Sequence, residues 1–143
     1  MSRKWTTLVV MSAAAILFSG LSWAADDESP LAKIMEKVQA NNIVITKGTR
    51  TSIAYKKAQK DVSEAAAQLA ELGKEARSEK GPSEAQKKPH AEWEKLMDDF
   101  IAKSDELAKL TAKSGTEQAA AKKSFNAVKV TCTNCHNVYR VDE

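Results

Sequence analysis

The chain has 143 residues, of which 29% are charged and only 6% aromatic, with five glycines and three prolines. That is the length of one ordinary domain, and its wealth of Ala, Lys, Glu and Leu favours helix. The net charge of +3 comes with no basic block alternating with aromatics, so a nucleic-acid-binding surface is excluded as the chain's business.

At the N-terminus, Arg3 and Lys4 form a short positive region before an apolar stretch from Leu8 to about Leu21. Ser22-Trp23-Ala24 then offers small residues at the positions a signal peptidase reads. The stretch is short for a membrane span and is interrupted by Ser12, Ser19 and Gly20, which favours cleavage after Ala24 over a retained anchor. Residues 1–24 are therefore expected to be a cleavable signal peptide and residues 25–143 the mature domain, carrying a net charge of +1 without Arg3 and Lys4 and not bound to a membrane.

The mature part opens on a polar, acidic leader, Asp26-Asp27-Glu28. Ser29 is suited to cap a first helix, with Pro30 at its first position and Gly48 as its terminator. Leu31, Ile34, Met35, Val38, Asn42 and Ile45 fall on one stripe of that helix. A second helix is predicted from Thr51 or Ser52. Its seam steps by three and four through Tyr55, Ala58, Val62, Ala65, Leu69, Leu72 and Ala76. Gly73 is expected to weaken it, with fraying beyond.

Ser78 to Pro89 reads as a polar connection with a helical turn from Ser83. A third helix is predicted from about Pro89 to Lys113, with Trp93, Leu96, Met97, Phe100, Ser104, Leu107 and Leu110 inward. Ser114-Gly115 ends it, and Thr116 is expected to cap the fourth. Phe125, Val128, Cys132, Cys135 and Tyr139 form the fourth seam. With no alternating strand pattern, the chain is predicted to be all-α, an antiparallel four-helix bundle.

The only two cysteines lie in Cys132-Thr133-Asn134-Cys135-His136. Two cysteines three apart, followed directly by histidine, form the attachment signature of a c-type haem. On a helix, positions i, i+3 and i+4 share a face. Cys132 and Cys135 can then bond one haem edge while His136 reaches the iron as proximal ligand. A zinc site would want four ligands, and the only other histidine, His90, stands alone. A thioredoxin-type pair would want a βαβ setting, which the pattern lacks. A structural disulfide is the remaining alternative. One covalent haem c on the C-terminal helix is the expectation. It agrees with export, because haem is attached to such chains outside the bacterial cytoplasmic membrane, so the periplasm is the expected location.

The secretory leader, four helices and terminal motif resemble a class II cytochrome c, the family of cytochrome c′ and the low-spin cytochromes c556. The stretch Cys132-Thr133-Asn134-Cys135-His136-Asn137-Val138-Tyr139-Arg140 is similar to the family's CxxCHxxYR or CxxCHxxFR ending. The resemblance implies that Arg140 lies near His136 and the solvent-facing haem edge, pairing with a propionate or limiting access. A solvated arginine at a helix C-terminus is the alternative. Tyr139 continues the apolar seam and is expected to pack against the haem.

The resemblance also places a distal residue on the first helix, at Met35. A methionine there completes the iron in cytochromes c556, whereas an apolar non-ligand leaves it five-coordinate in most cytochromes c′. A thioether favours ferrous haem and raises its potential. Plain core packing is the other role open to Met35. Met97, on the third helix, is the competing ligand candidate but is expected to pack beside Trp93 and Phe100. His90, the one residue open to bis-histidine ligation, is expected to be exposed at a helix start.

The implied function is a periplasmic one-electron carrier with His136/Met35 ligation, serving redox partner proteins. The alternatives are a five-coordinate binder of small gases (NO or CO) and a relay module of a larger complex. No acid–base constellation supports an enzyme. A homodimer through the first two helices is implied by the family and left open by the Lys/Glu/Gln-rich outer faces.

Overall fold

The computed structural model describes residues 29–140. The expected signal peptide and the acidic leader before Ser29 lie outside these residues. Five helices follow in order: α1 Pro30–Gly48, α2 Ser52–Arg77, α3 Gly81–Ala85, α4 His90–Ala112 and α5 Gln118–Tyr139. The described residues contain no strand. Four long helices form the antiparallel bundle, and α3 is a single turn in the α2–α4 connection. None of the described helices is long and apolar enough to cross a membrane.

The helix starts follow from local chemistry. Ser29 Oγ accepts from the Ala32 amide at 3.2 Å, and Thr51 Oγ1 accepts from the Ala54 amide at 3.1 Å. Each satisfies an amide that the first turn leaves without an intrahelical partner. Thr116 departs from expectation. Its hydroxyl turns back to donate to Leu110 O at 2.7 Å and Lys113 O at 3.0 Å, so it closes α4 instead of capping α5. The cap of α5 is Glu117, whose side chain makes no capping bond.

The antiparallel directions are recorded in cross-helix bonds. At one end of the α2–α4 pair, Gln59 Nε2 donates to Thr111 O and Lys113 O, both at 2.8 Å. At the other, Arg77 reaches Asp98 at 2.7 Å and Glu94 at 2.8 Å. These exposed ion pairs add little energy individually but mark the register. Between α1 and α5, Gln118 Nε2 donates to Thr49 O at 2.6 Å, joining the end of α1 to the start of α5.

α2 and α4 are the most closely packed pair because α2 presents small residues. Ala65, Ala66, Ala70, Gly73 and Ala76 are all buried. The predicted fraying at Gly73 does not occur, and α2 runs on to Arg77. A Cβ at Gly73 would lie 2.8 Å from both Phe100 Cδ1 and Ile101 Cγ1, so the glycine is a contact point. The same holds where α1 ends, as a Cβ on Gly48 would run into the Val62 side chain.

After α3, Lys87 adopts φ 51°, the left-handed region that suits glycine. Lys88 N donates to Ser83 O at 2.9 Å and Lys87 N to Glu84 O at 3.1 Å. This pair of bonds is a Schellman ending with lysine at its left-handed position.

Two outcomes follow, both read from urea unfolding. Replacing Gly73 with alanine should cost about 1–2 kcal/mol net, because displacing the Phe100 and Ile101 side chains outweighs alanine's helix propensity. Replacing Lys87 with glycine should stabilise the protein by about 0.5–1 kcal/mol, because relief of left-handed strain exceeds the added unfolded-state entropy.

Candidate functional site

One end of the bundle is closed and the other is hollow. The closed end is filled by a cluster that includes Ile45, Tyr55, Val62, Leu107, Ala121 and Phe125. Towards the other end lies a cavity of about 560 Å³, within the ~300–1,000 Å³ usual for ligand sites. Its walls are mainly α1 (Leu31, Met35, Val38, Gln39, Asn42) and α5 (Val128, Thr131, Cys132, Cys135, His136, Tyr139). Leu69 of α2 and Trp93, Met97 and Phe100 of α4 form the back, and Pro82 and Arg140 complete the lining.

Every residue singled out in the sequence for this site lines the one cavity: Met35, Cys132, Cys135, His136, Tyr139 and Arg140. The register explains how Met35 and Cys132 meet across it. The Gln118–Thr49 bond fixes the closed end; fourteen residues back along α1 is Met35, and fourteen forward along α5 is Cys132. At equal rise per residue, the two sit at about the same height on facing walls.

The two thiols are free, so they form no disulfide. Cys135 is buried and Cys132 half-buried. Burial pushes the Cys132 thiol up, and burial followed by the nearby Cys132 pushes Cys135 up to about 11. Both are therefore neutral thiols at neutral pH. Among the described residues no group of three or more His, Cys, Asp or Glu is arranged to hold a metal ion, so the zinc alternative has no ligand set. His136 is exposed on the cavity's edge in the last turn of α5. Arg140 caps that helix from an exposed position, its amide donating to His136 O at 3.1 Å.

Tyr139 packs edge-on against Trp93, with ring centroids 5.2 Å apart and an interplanar angle of 81°. Trp93 Nε1 donates to Ala76 O at 2.8 Å, which fixes the indole. Tyr139 Oη is buried without a hydrogen-bond partner. Burial, then the charges of Glu92 and Cys135, raises its pKa. Thr131 also faces the cavity, but its hydroxyl is engaged by Val128 O at 2.7 Å.

Met97 lines the cavity as well, buried in the cluster that holds Trp93, Cys135 and Tyr139. His90 is half-buried and not exposed as expected. Its Nδ1 lies 3.3 Å from Ser83 Oγ, and it is not part of the cavity wall. Sequence reasoning passed over Gln39 and Pro82. Gln39 is one turn beyond Met35, so its i+4 spacing was the available signal. Pro82 sat in a segment read as a linker, and nothing local marked it as a wall.

The donor set and the volume fit a covalently held haem. Two thiols and an imidazole share one helix, a thioether faces them, and the intervening space is largely apolar with an unpartnered phenol at its rim. A helical bundle with such a site defines a c-type cytochrome. The family described as Cytochrome C' matches residues 28–140, and the chain belongs to it. The family implies a covalently bound c-type haem. Its members are generally electron carriers or gas binders, and they are typically exported to the periplasm. No curated protein and no solved structure matches the chain to add to this assignment.

Because the indole N–H ties α4 to the end of α2, replacing Trp93 with phenylalanine should lower stability by about 1 kcal/mol. A thermal melt of the purified protein checks it.

Proposed function

We propose that this is a periplasmic one-electron carrier whose iron is held between His136 and Met35. The observation that carries the proposal is that Met35 of α1 and Cys132, Cys135 and His136 of α5 line a single, largely apolar cavity. Bound haem supplies a metal that exchanges one electron without a proton or a bond change.

The chain's residues set the conditions for that exchange. Cys132 and Cys135 anchor the cofactor to α5, and His136, four residues after Cys132, presents an imidazole from the same helix. Met35 offers a soft, neutral thioether from α1. His136 and Met35 stand on two different helices of a packed bundle, so they would hold a bound iron with little movement when its charge changes. Trp93, Phe100 and Leu69 keep the inner wall dry. Tyr139 packs beside the cofactor through its ring, and Arg140 stands at the rim, where its guanidinium can meet an acidic edge group.

The N-terminal features of the sequence and the habit of the family support export. Exposed Ile43, Val44 and Ile53, near the α1–α2 turn, support pairing of two copies through those helices. An enzyme is not proposed, since the cavity offers no acid–base pair.

The visible spectrum with and without carbon monoxide is the test. The holoprotein should be low-spin in both oxidation states and unreactive to the gas within mixing time. Replacing Met35 with alanine should give a high-spin ferrous form that binds it at once. A wild-type ferrous form that is high-spin and shifts on gas addition would instead assign gas binding. A low-spin Met35→Ala variant would remove Met35 as the ligand.

A further inference from the structure

The charges on the long helices are unevenly shared. α5 contains three lysines and no acidic residue, whereas α4 has six acidic residues against three lysines. Cations elsewhere are partly neutralised, as in Lys74–Glu71, Arg77–Glu94 and Lys103–Glu106. Among the described residues, Lys122, Lys123, Lys129 and Arg140 join no ion pair, as is also true of others such as Lys56 and Lys57 on α2, so what sets α5 apart is its lack of any acidic residue.

Lys122, Lys129 and Arg140 share one side of α5, with Lys123 about 100° round the helix from Lys122. Lys122, Lys129 and His136 step by seven, two helical turns each, and Arg140 follows four residues later. All four are exposed. Lys129 is also held in place, its ammonium 4.8 Å from the centroid of the Phe125 ring. Beside this edge, Val130 is 57% exposed, a bare apolar side chain flanked by the short polar Asn126, Thr133 and Asn137. A flat centre with one apolar contact and a cationic border suits a brief encounter with a surface of opposite charge.

We infer that this outer edge of α5, centred on Val130 and bordered by Lys122, Lys129 and Arg140, is the docking face for an acidic electron-transfer protein. The inference rests on the carrier reading. Position supports it: Thr133 and Asn134, between the two cysteines, are exposed on the same helix, so the covalent path from cofactor to this face is short. The exchange moves one electron from ferrous iron, left ferric, to the partner's oxidised centre, reduced by one, with no proton required.

The experiment uses stopped-flow oxidation of the ferrous holoprotein by two probes: plastocyanin, a small acidic copper protein, and the neutral oxidant benzoquinone. Wild type is compared with Lys122→Glu/Lys129→Glu and with Lys56→Glu/Lys57→Glu, a charge-matched pair on α2. With plastocyanin, the wild-type rate should fall about tenfold between ~0.01 M and ~0.2 M salt. At low salt the α5 pair should lose about tenfold and the α2 pair less than about twofold. Benzoquinone should oxidise all three alike. Equal loss in both pairs, or loss in neither, overturns the docking face and leaves the carrier reading standing. A wild-type protein that reduces neither oxidant overturns both.

Discussion

Two helices that form facing walls of one apolar cavity cannot also pack against each other along it. That constraint organises this bundle. α1 and α5 are joined at one end by the Gln118–Thr49 bond and by a core that includes Ile45 and Phe125. Towards the other end they form the two main walls of the cavity. The register set at the closed end decides which residues face each other at the open one. A slip of one residue on α1 would turn Met35 by about 100° and bring its neighbours to the wall instead.

α1 and α5 can stand apart because α2 and α4 supply the rigidity. The run of small residues on α2 lets α4 come close, with Gly73 set against Phe100 and Ile101. Gln59 and Arg77 tie the pair at its two ends. Phe100 belongs both to this contact and to the cavity wall, so the packing that stabilises the pair also shapes the site. Trp93 has the same double role, bonded to Ala76 O and stacked edge-on against Tyr139. Stability and the shape of the cavity are therefore coupled through a few α4 side chains. The cysteines gain from the same arrangement, since burial on a rigid seam keeps both thiols neutral and directed at the cavity.

Much of this was legible in the sequence because it depends on local period. The four seams, the Ser29 cap and the shared helical face of Cys132, Cys135 and His136 all follow from spacing. What spacing cannot supply is distance between helices. Gly73 looked like a weak point because its propensity cost is local, while its compensating contact with α4 is not. Thr116 looked like a cap for the helix after it, and the carbonyls it satisfies belong to the helix before it. Pro82 joins the cavity wall only through the tertiary path of the chain, whereas Gln39 follows Met35 by one turn and its spacing marks it. His90 was expected in solvent, and the turn at α3 brings Ser83 to it.

X-ray absorption at the iron edge of the purified holoprotein decides whether Met35 holds the metal, because it counts sulfur among the atoms bonded to it. One sulfur, contributed by Met35, is expected beside five nitrogens in both oxidation states. A coordination sphere of nitrogens alone, or with oxygen in the sixth place, would contradict it.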